Sequence, residues 1–124
     1  MSAEALCFET SAAWRGWLDV NHATNAGVWL QIAKKGSKAQ LISIDEARDV
    51  SLCYGWIDSH RKGFDATSFL QRYSPRTARS PWSQKNREHA ERLMEQGFMT
   101  PFGLHEIEKA KRDGRWQIAY APQR

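Results

Sequence analysis

Apolar positions along the chain switch between two periods, and the switches mark its elements. After Ser11, Trp14, Trp17 and Leu18 follow at i, i+3, i+4 spacing, which predicts a short helix capped by Ser11 and ending between Asn21 and Asn25. Past Gly27, the run Val28-Trp-Leu-Gln-Ile-Ala33 alternates, so it reads as a strand with Val28, Leu30 and Ile32 on one face and Trp29 on the other. Lys34 to Lys38 form a basic turn. Ser43 or Asp45 caps a second helix that turns Ala47, Val50 and Tyr54 or Cys53 inward and stops near Gly55. Trp56–Lys62 and Ser68–Tyr73 read as an antiparallel hairpin closed by Gly63 to Thr67. Alternation puts Trp56, Asp58, His60 and Lys62 on one face of its first strand and Ile57, Ser59 and Arg61 on the other. In its second strand Phe69 and Gln71 oppose Leu70 and Arg72.

Ser74 to Pro81 holds two prolines and reads as a loop. Ser83 caps a third helix through about Gln96, with Ala90, Leu93 and Met94 as its apolar stripe. Pro101 opens the last helix, with Leu104, Ile107 and Ala110 inward and Gly114 as its stop. Trp116 to Tyr120 form a tail expected to pack back. The predicted fold class is α+β, in the order α-β-α-β-β-α-α: a small three-stranded antiparallel sheet with about four helices on one face. One domain over residues 1–124 accounts for the whole chain, which shows no repeat and no linker.

Composition sharpens this picture in two places. Six tryptophans in 124 residues are more than so small a core can bury without partners for their N–H groups. Trp14, Trp17 and Trp116 are assigned to the core, and Trp29, Trp56 and Trp82 to the wall of one basic cleft. The net charge of +4 is concentrated. Residues 60–92 carry Arg61, Lys62, Arg72, Arg76, Arg79, Lys85, Arg87 and Arg92 against Asp65, Glu88 and Glu91. Concentrated positive charge draws anionic partners. No apolar run approaches the roughly 18 residues that span a bilayer, and no basic n-region opens the chain, so the expected location is the cytoplasm. Two cysteines do not make a disulfide framework, and Cys53, inside an apolar run, reads as a small buried hydrophobe. The four histidines lack ligand spacing, so neither a metal nor a cofactor is expected.

The chemistry concentrates in Arg72-Tyr-Ser-Pro-Arg-Thr-Ala-Arg-Ser-Pro-Trp-Ser-Gln-Lys-Asn86. Arg72, Arg76 and Arg79 run into a helix start at Ser83, where unpaired backbone N–H groups favour an anion. Guanidinium groups add bidentate contacts to phosphate or carboxylate. Asn86 on the first helical turn adds a donor, and Trp82 a flat wall. The competing reading is structural: Ser83 only caps, Trp82 is core, and the arginines pair with nearby carboxylates. Trp56, Asp58, His60 and Lys62 form a second polar group, in which Asp58 and His60 suggest proton transfer or else a solvated face. The expected ligand-binding residues are therefore Trp56, Asp58, Lys62, Arg72, Arg76, Arg79, Trp82, Ser83 and Asn86, holding an anionic small molecule or phosphate group. The alternatives are an enzyme using Asp58 and His60 on the same ligand, and an interaction module for a protein or nucleic acid.

The stretches Leu52-Cys-Tyr-Gly-Trp-Ile-Asp58, Arg72-Tyr-Ser-Pro-Arg76, Ser80-Pro-Trp-Ser-Gln-Lys-Asn86, Gly97-Phe-Met-Thr-Pro101 and Ala110-Lys-Arg-Asp-Gly-Arg-Trp116 with Tyr120 occur in order over nearly the whole chain. Together they resemble the YdeI/OmpD-associated family of bacterial proteins. Ser59 departs from the family's usual glycine after Trp-Ile-Asp, and the family's frequent C-terminal basic helical extension is expected to be absent. The resemblance implies a role in bacteriocin protection and stress resistance, and it transfers no catalytic residue.

Overall fold

The computed structural model describes residues 5–119. Its elements are β1 (Ala5–Leu6), α1 (Ser11–Asn21), β2 (Val28–Ala33), α2 (Ile44–Cys53), β3 (Trp56–Gly63), β4 (Ser68–Pro75), α3 (Gln84–Glu95) and α4 (Pro101–Asp113). The α+β class and the four helices agree with the sequence pattern. The sheet does not: it has four strands in the order β1-β2-β4-β3, and β1 lies parallel to β2. The extra strand is two residues long, too short to show a period of two. Leu6 pairs with Leu30 and turns into the core beside it.

Each helix starts at a side chain that satisfies its first free N–H groups. Thr10, rather than Ser11, caps α1 by accepting from Ala13 N at 3.1 Å. Ser43 and Glu46 form a reciprocal capping box at α2. Ser83 caps α3 and Thr100 caps α4.

Trp14 holds the layers together. Its indole is fully buried and its N–H donates to the Ala47 carbonyl of α2 at 3.1 Å. Its ring lies 5.7 to 6.3 Å from those of Phe8, Trp17, Trp56 and Tyr73. Leu18, Leu30, Ile32, Val50, Leu93 and Ile107 fill the rest of the core.

Two further expectations change on the hairpin and on α4. Asp58 pairs with Tyr73, but the next aligned pair is Arg61 with Gln71, so a β-bulge occupies Ser59 and His60. Buried Gln71 fills it: its amide donates to the His60 carbonyl at 3.0 Å, and its oxygen accepts from Arg61 Nε at 3.1 Å. The extra residue breaks the alternation. Trp56, Asp58 and Arg61 follow the core face of Tyr73 and Gln71, whereas Lys62 lies opposite Leu70 on the outer face. Asp58 and Lys62 therefore do not share a face. On α4, Leu104 is exposed and Gly103 is buried. The Thr100 hydroxyl donates to the Cys53 carbonyl at the end of α2, and that contact draws α4 in until only a glycine fits. A Cβ on Gly103 would stand 2.5 Å from the Cys53 carbonyl oxygen and 2.4 Å from Met99 Sδ.

Because the Cys53 carbonyl is backbone and cannot swing aside, Gly103→Ala is expected to destabilise the fold by about 1–3 kcal/mol. Urea unfolding checks this, and an unchanged midpoint would show that α4 can shift outward at no cost.

Candidate functional site

The nine expected ligand-binding residues do not gather in one place. Lys62 and Arg72 lie on the outer face of the sheet, flanking Trp29, which stands directly opposite Arg72. Ser83, Asn86 and Arg79 lie at the start of α3 and the loop before it. Here Ser83 accepts from Asn86 N at 3.1 Å as an ordinary cap, and Arg79 is exposed. Asp58 is exposed on β3. Trp56, Arg76 and Trp82 are buried. The single cleft walled by Trp29, Trp56 and Trp82 is thus not formed: Trp56 crosses edge-on to Trp14 and Trp17 in the core, and Trp82 packs edge-on against Trp116 at 5.0 Å. Trp116 is buried, as expected of a tail anchor, whereas Tyr120 lies outside the described residues.

Arg76 is the residue that stands out. Its side chain follows the hairpin at the end of β4 and is 6% exposed. The guanidinium carbon sits 3.7 Å from the Trp82 ring centroid, and Nη1 donates to the Pro81 carbonyl at 3.1 Å. Nε and Nη2 are buried and have no partner among the described residues. Burial lowers its pKa to about 10, while the charges of Asp58 and Glu106 act in the opposite sense and that of Arg115 adds to the fall. Leaving such donors unmade costs about 1–3 kcal/mol.

Arg76 and Trp56 line a cavity of about 510 Å³ together with His22, Tyr54, Phe102 and Glu106. These come from the end of α1, the end of α2, the hairpin and α4, so no local motif links them. His22 rests against Phe102 at 4.0 Å between ring centroids, with Nδ1 2.9 Å from the Leu18 carbonyl. The Tyr54 hydroxyl donates to Asp19. Burial first, then that hydrogen bond, push the Tyr54 pKa up to about 12. Glu106 holds Lys109 through Oε2 at 3.2 Å, while its buried Oε1 has no partner among the described residues. Both of these incompletely paired residues line the cavity.

A second cavity, of about 370 Å³, is lined by Cys53, Arg15, Asp49 and Arg92 among others. Arg92 is held by both oxygens of Asp49, at 3.1 and 3.0 Å. Burial raises the Cys53 pKa, so the thiol rests protonated, which agrees with its reading as a buried hydrophobe. Asp58 and His60 are both exposed and line neither cavity, so the structure does not assemble them into a proton-transfer pair. Among the described residues no group of three or more His, Cys, Asp or Glu could hold a metal ion, and no helix is long and apolar enough to cross a membrane.

Residues 6–106 match the sequence model of the family described as "Domain of unknown function (DUF8412)", and the chain belongs to that family. No curated protein and no solved structure matches it.

A raised phenol pKa has a consequence in alkali. The folded state keeps the Tyr54 proton between its ordinary pKa, about 10, and the folded value of about 12, whereas the unfolded chain releases it. The folded state then binds more protons, so the Tyr54 contribution to stability is complete below pH about 10 and declines above it. Spectrophotometric titration should find Tyr54 still protonated near pH 11, with Tyr54→Phe flattening the alkaline fall in stability. Ionisation of Tyr54 at its ordinary pKa would contradict this.

Proposed function

We propose that this DUF8412 member is a binding module for a small anionic ligand seated in the Arg76 cavity. One observation carries the reading: a buried arginine with two unpartnered nitrogens lines a concave site with aromatic walls. Its guanidinium is already oriented by Trp82 and the Pro81 carbonyl, so little ordering remains to be done on binding. The anionic group is a phosphate or a carboxylate, both of which match the guanidinium fork. Phe102 offers flat apolar surface for the body of the ligand. Glu106 selects for a donor on the same molecule, through its free Oε1.

Arg72, Arg79, Ser83 and Asn86 leave this reading, because they do not line the cavity. The resemblance to YdeI/OmpD-associated proteins supplies a setting, in which ligand binding serves bacteriocin protection and stress resistance from the cytoplasm. That setting belongs to the same proposal.

The test is a thermal-shift series with inorganic phosphate, nucleoside monophosphates and small dicarboxylates, read on the wild type and Arg76→Met. A ligand present at about 100 times its Kd stabilises the wild type by about 2.7 kcal/mol. Arg76→Met should show no such increment. The unliganded variant should be at least as stable as the wild type, because methionine removes the orphaned donors and keeps the packing on Trp82. An equal increment in both proteins, or no increment with any of these anions, would overturn the proposal.

A further inference from the structure

Among the described residues, the buried side chains of all four helices join one cluster with the core face of the sheet, and the other face stands apart from that cluster. On that outer face the register brings together Trp29, Gln31, Ile57, Lys62, Leu70 and Arg72. Leu70 is buried but stands apart from the hydrophobic core, and neither Trp29 nor Ile57 packs against that core. Leu70 has instead a cover of its own: Lys62 reaches across it to place its ammonium 4.4 Å from the Trp29 ring centroid. Arg72 flanks Trp29 from the neighbouring strand. Its guanidinium occupies the space beside Gly27, where a Cβ would stand 2.7 Å from Nη2. Among the described residues no carboxylate pairs with Lys62 or Arg72, and the outer-face positions of β2, β3 and β4 carry no acidic residue.

The charge extends past the end of the strands. Lys34, Lys35 and Lys38 are exposed in the turn after β2. That turn is tied to the hairpin tip by Lys34 N donating to the Thr67 carbonyl at 2.9 Å. Asp65, the acidic residue of the tip, is committed to Thr67 and Ser68 through one oxygen. This face thus carries one half-buried indole, two cations beside it that no carboxylate pairs, and three more at its end.

We propose that this outer face binds single-stranded nucleic acid. An indole flanked by cations is the arrangement that stacks a base and neutralises the phosphates on either side of it. On binding, the base takes the place of the Lys62 ammonium over Trp29, and that ammonium moves to a phosphate. The hydroxyl of Ser74 lies on the same face and can meet a base edge, whereas the Gln31 amide is held by Ser68 and Cys7. A flat face with one half-buried indole suits stacking better than insertion into a lipid surface, which needs protruding apolar groups. The site is separate from the Arg76 cavity, so either proposal can fail alone.

Fluorescence anisotropy of a labelled oligothymidylate of about twelve nucleotides tests it, at about 50 and 200 mM salt. The wild type should bind at the lower salt and weaken steeply at the higher. Trp29→Ala should lose roughly tenfold or more in affinity, with Trp29→Phe recovering most of it. Lys62→Ala and Arg72→Ala should each reduce the salt slope by about 0.7. Arg76→Met should bind as the wild type does. Absence of binding at the lower salt, equal affinity for duplex DNA, or unchanged binding by folded Trp29→Ala would overturn the proposal. So would binding to anionic phosphatidylserine vesicles without binding to the oligonucleotide.

Discussion

The position of Trp14 decides what the other aromatic residues are able to do. Its N–H has to find a buried acceptor, because an indole donor left unmade in the core costs about as much as a lost hydrogen bond. The Ala47 carbonyl meets that need from the middle of α2. Four rings close around the indole, from the segment before α1, from α1 itself and from both strands of the hairpin. Trp56 and Tyr73 are thereby committed to the core. Of the six indoles, Trp29 alone belongs to the open face of the sheet, because its strand faces the core with Val28, Leu30 and Ile32.

A second aromatic site works by a different balance. Trp82 and Trp116 pack edge-on, and Trp82 gives its face to the Arg76 guanidinium. The Trp82 N–H is itself buried without a partner among the described residues. Arginine and tryptophan together thus hold three unsatisfied donors beside one another. The attraction between cation and ring offsets part of that cost, by about 2 kcal/mol where the pair is desolvated. A fold optimised for stability alone would have placed an apolar side chain there.

Elements with local signals were legible in the sequence. The alternation of 28–33, the caps at Ser43 and Ser83 and the proline at 101 each act within a few residues, and the structure keeps them all. β1 was not legible because it pairs with a strand beyond α1, and the bulge was not because it depends on how Gln71 fits across the hairpin. The bulge mattered most, since one extra residue reassigned Lys62 to the opposite face from Asp58. The candidate site follows the same division. Arg76 and Trp56 could be picked out by residue type and neighbourhood. Their companions His22, Tyr54, Phe102 and Glu106 come from elements joined only by tertiary packing. The three arginines looked like one group for the same reason: Arg72 was read within its strand, but sequence proximity hides that it flanks Trp29, that Arg76 is folded inward and that Arg79 faces solvent.

The bulge on β3 also changes what that border of the sheet offers to another strand. β3 is an outer strand, and an outer strand with a regular row of free N–H and C=O groups is a template for another chain's strand. Here the row is interrupted at Ser59 and His60, and Arg61 and Lys62 follow at once. The opposite border is β1, only two residues long. A small sheet with long, regular borders would otherwise be prone to grow into fibres by edge-to-edge addition. Its two borders are instead kinked and charged on one side and cut short on the other, which makes both poor templates for a further strand.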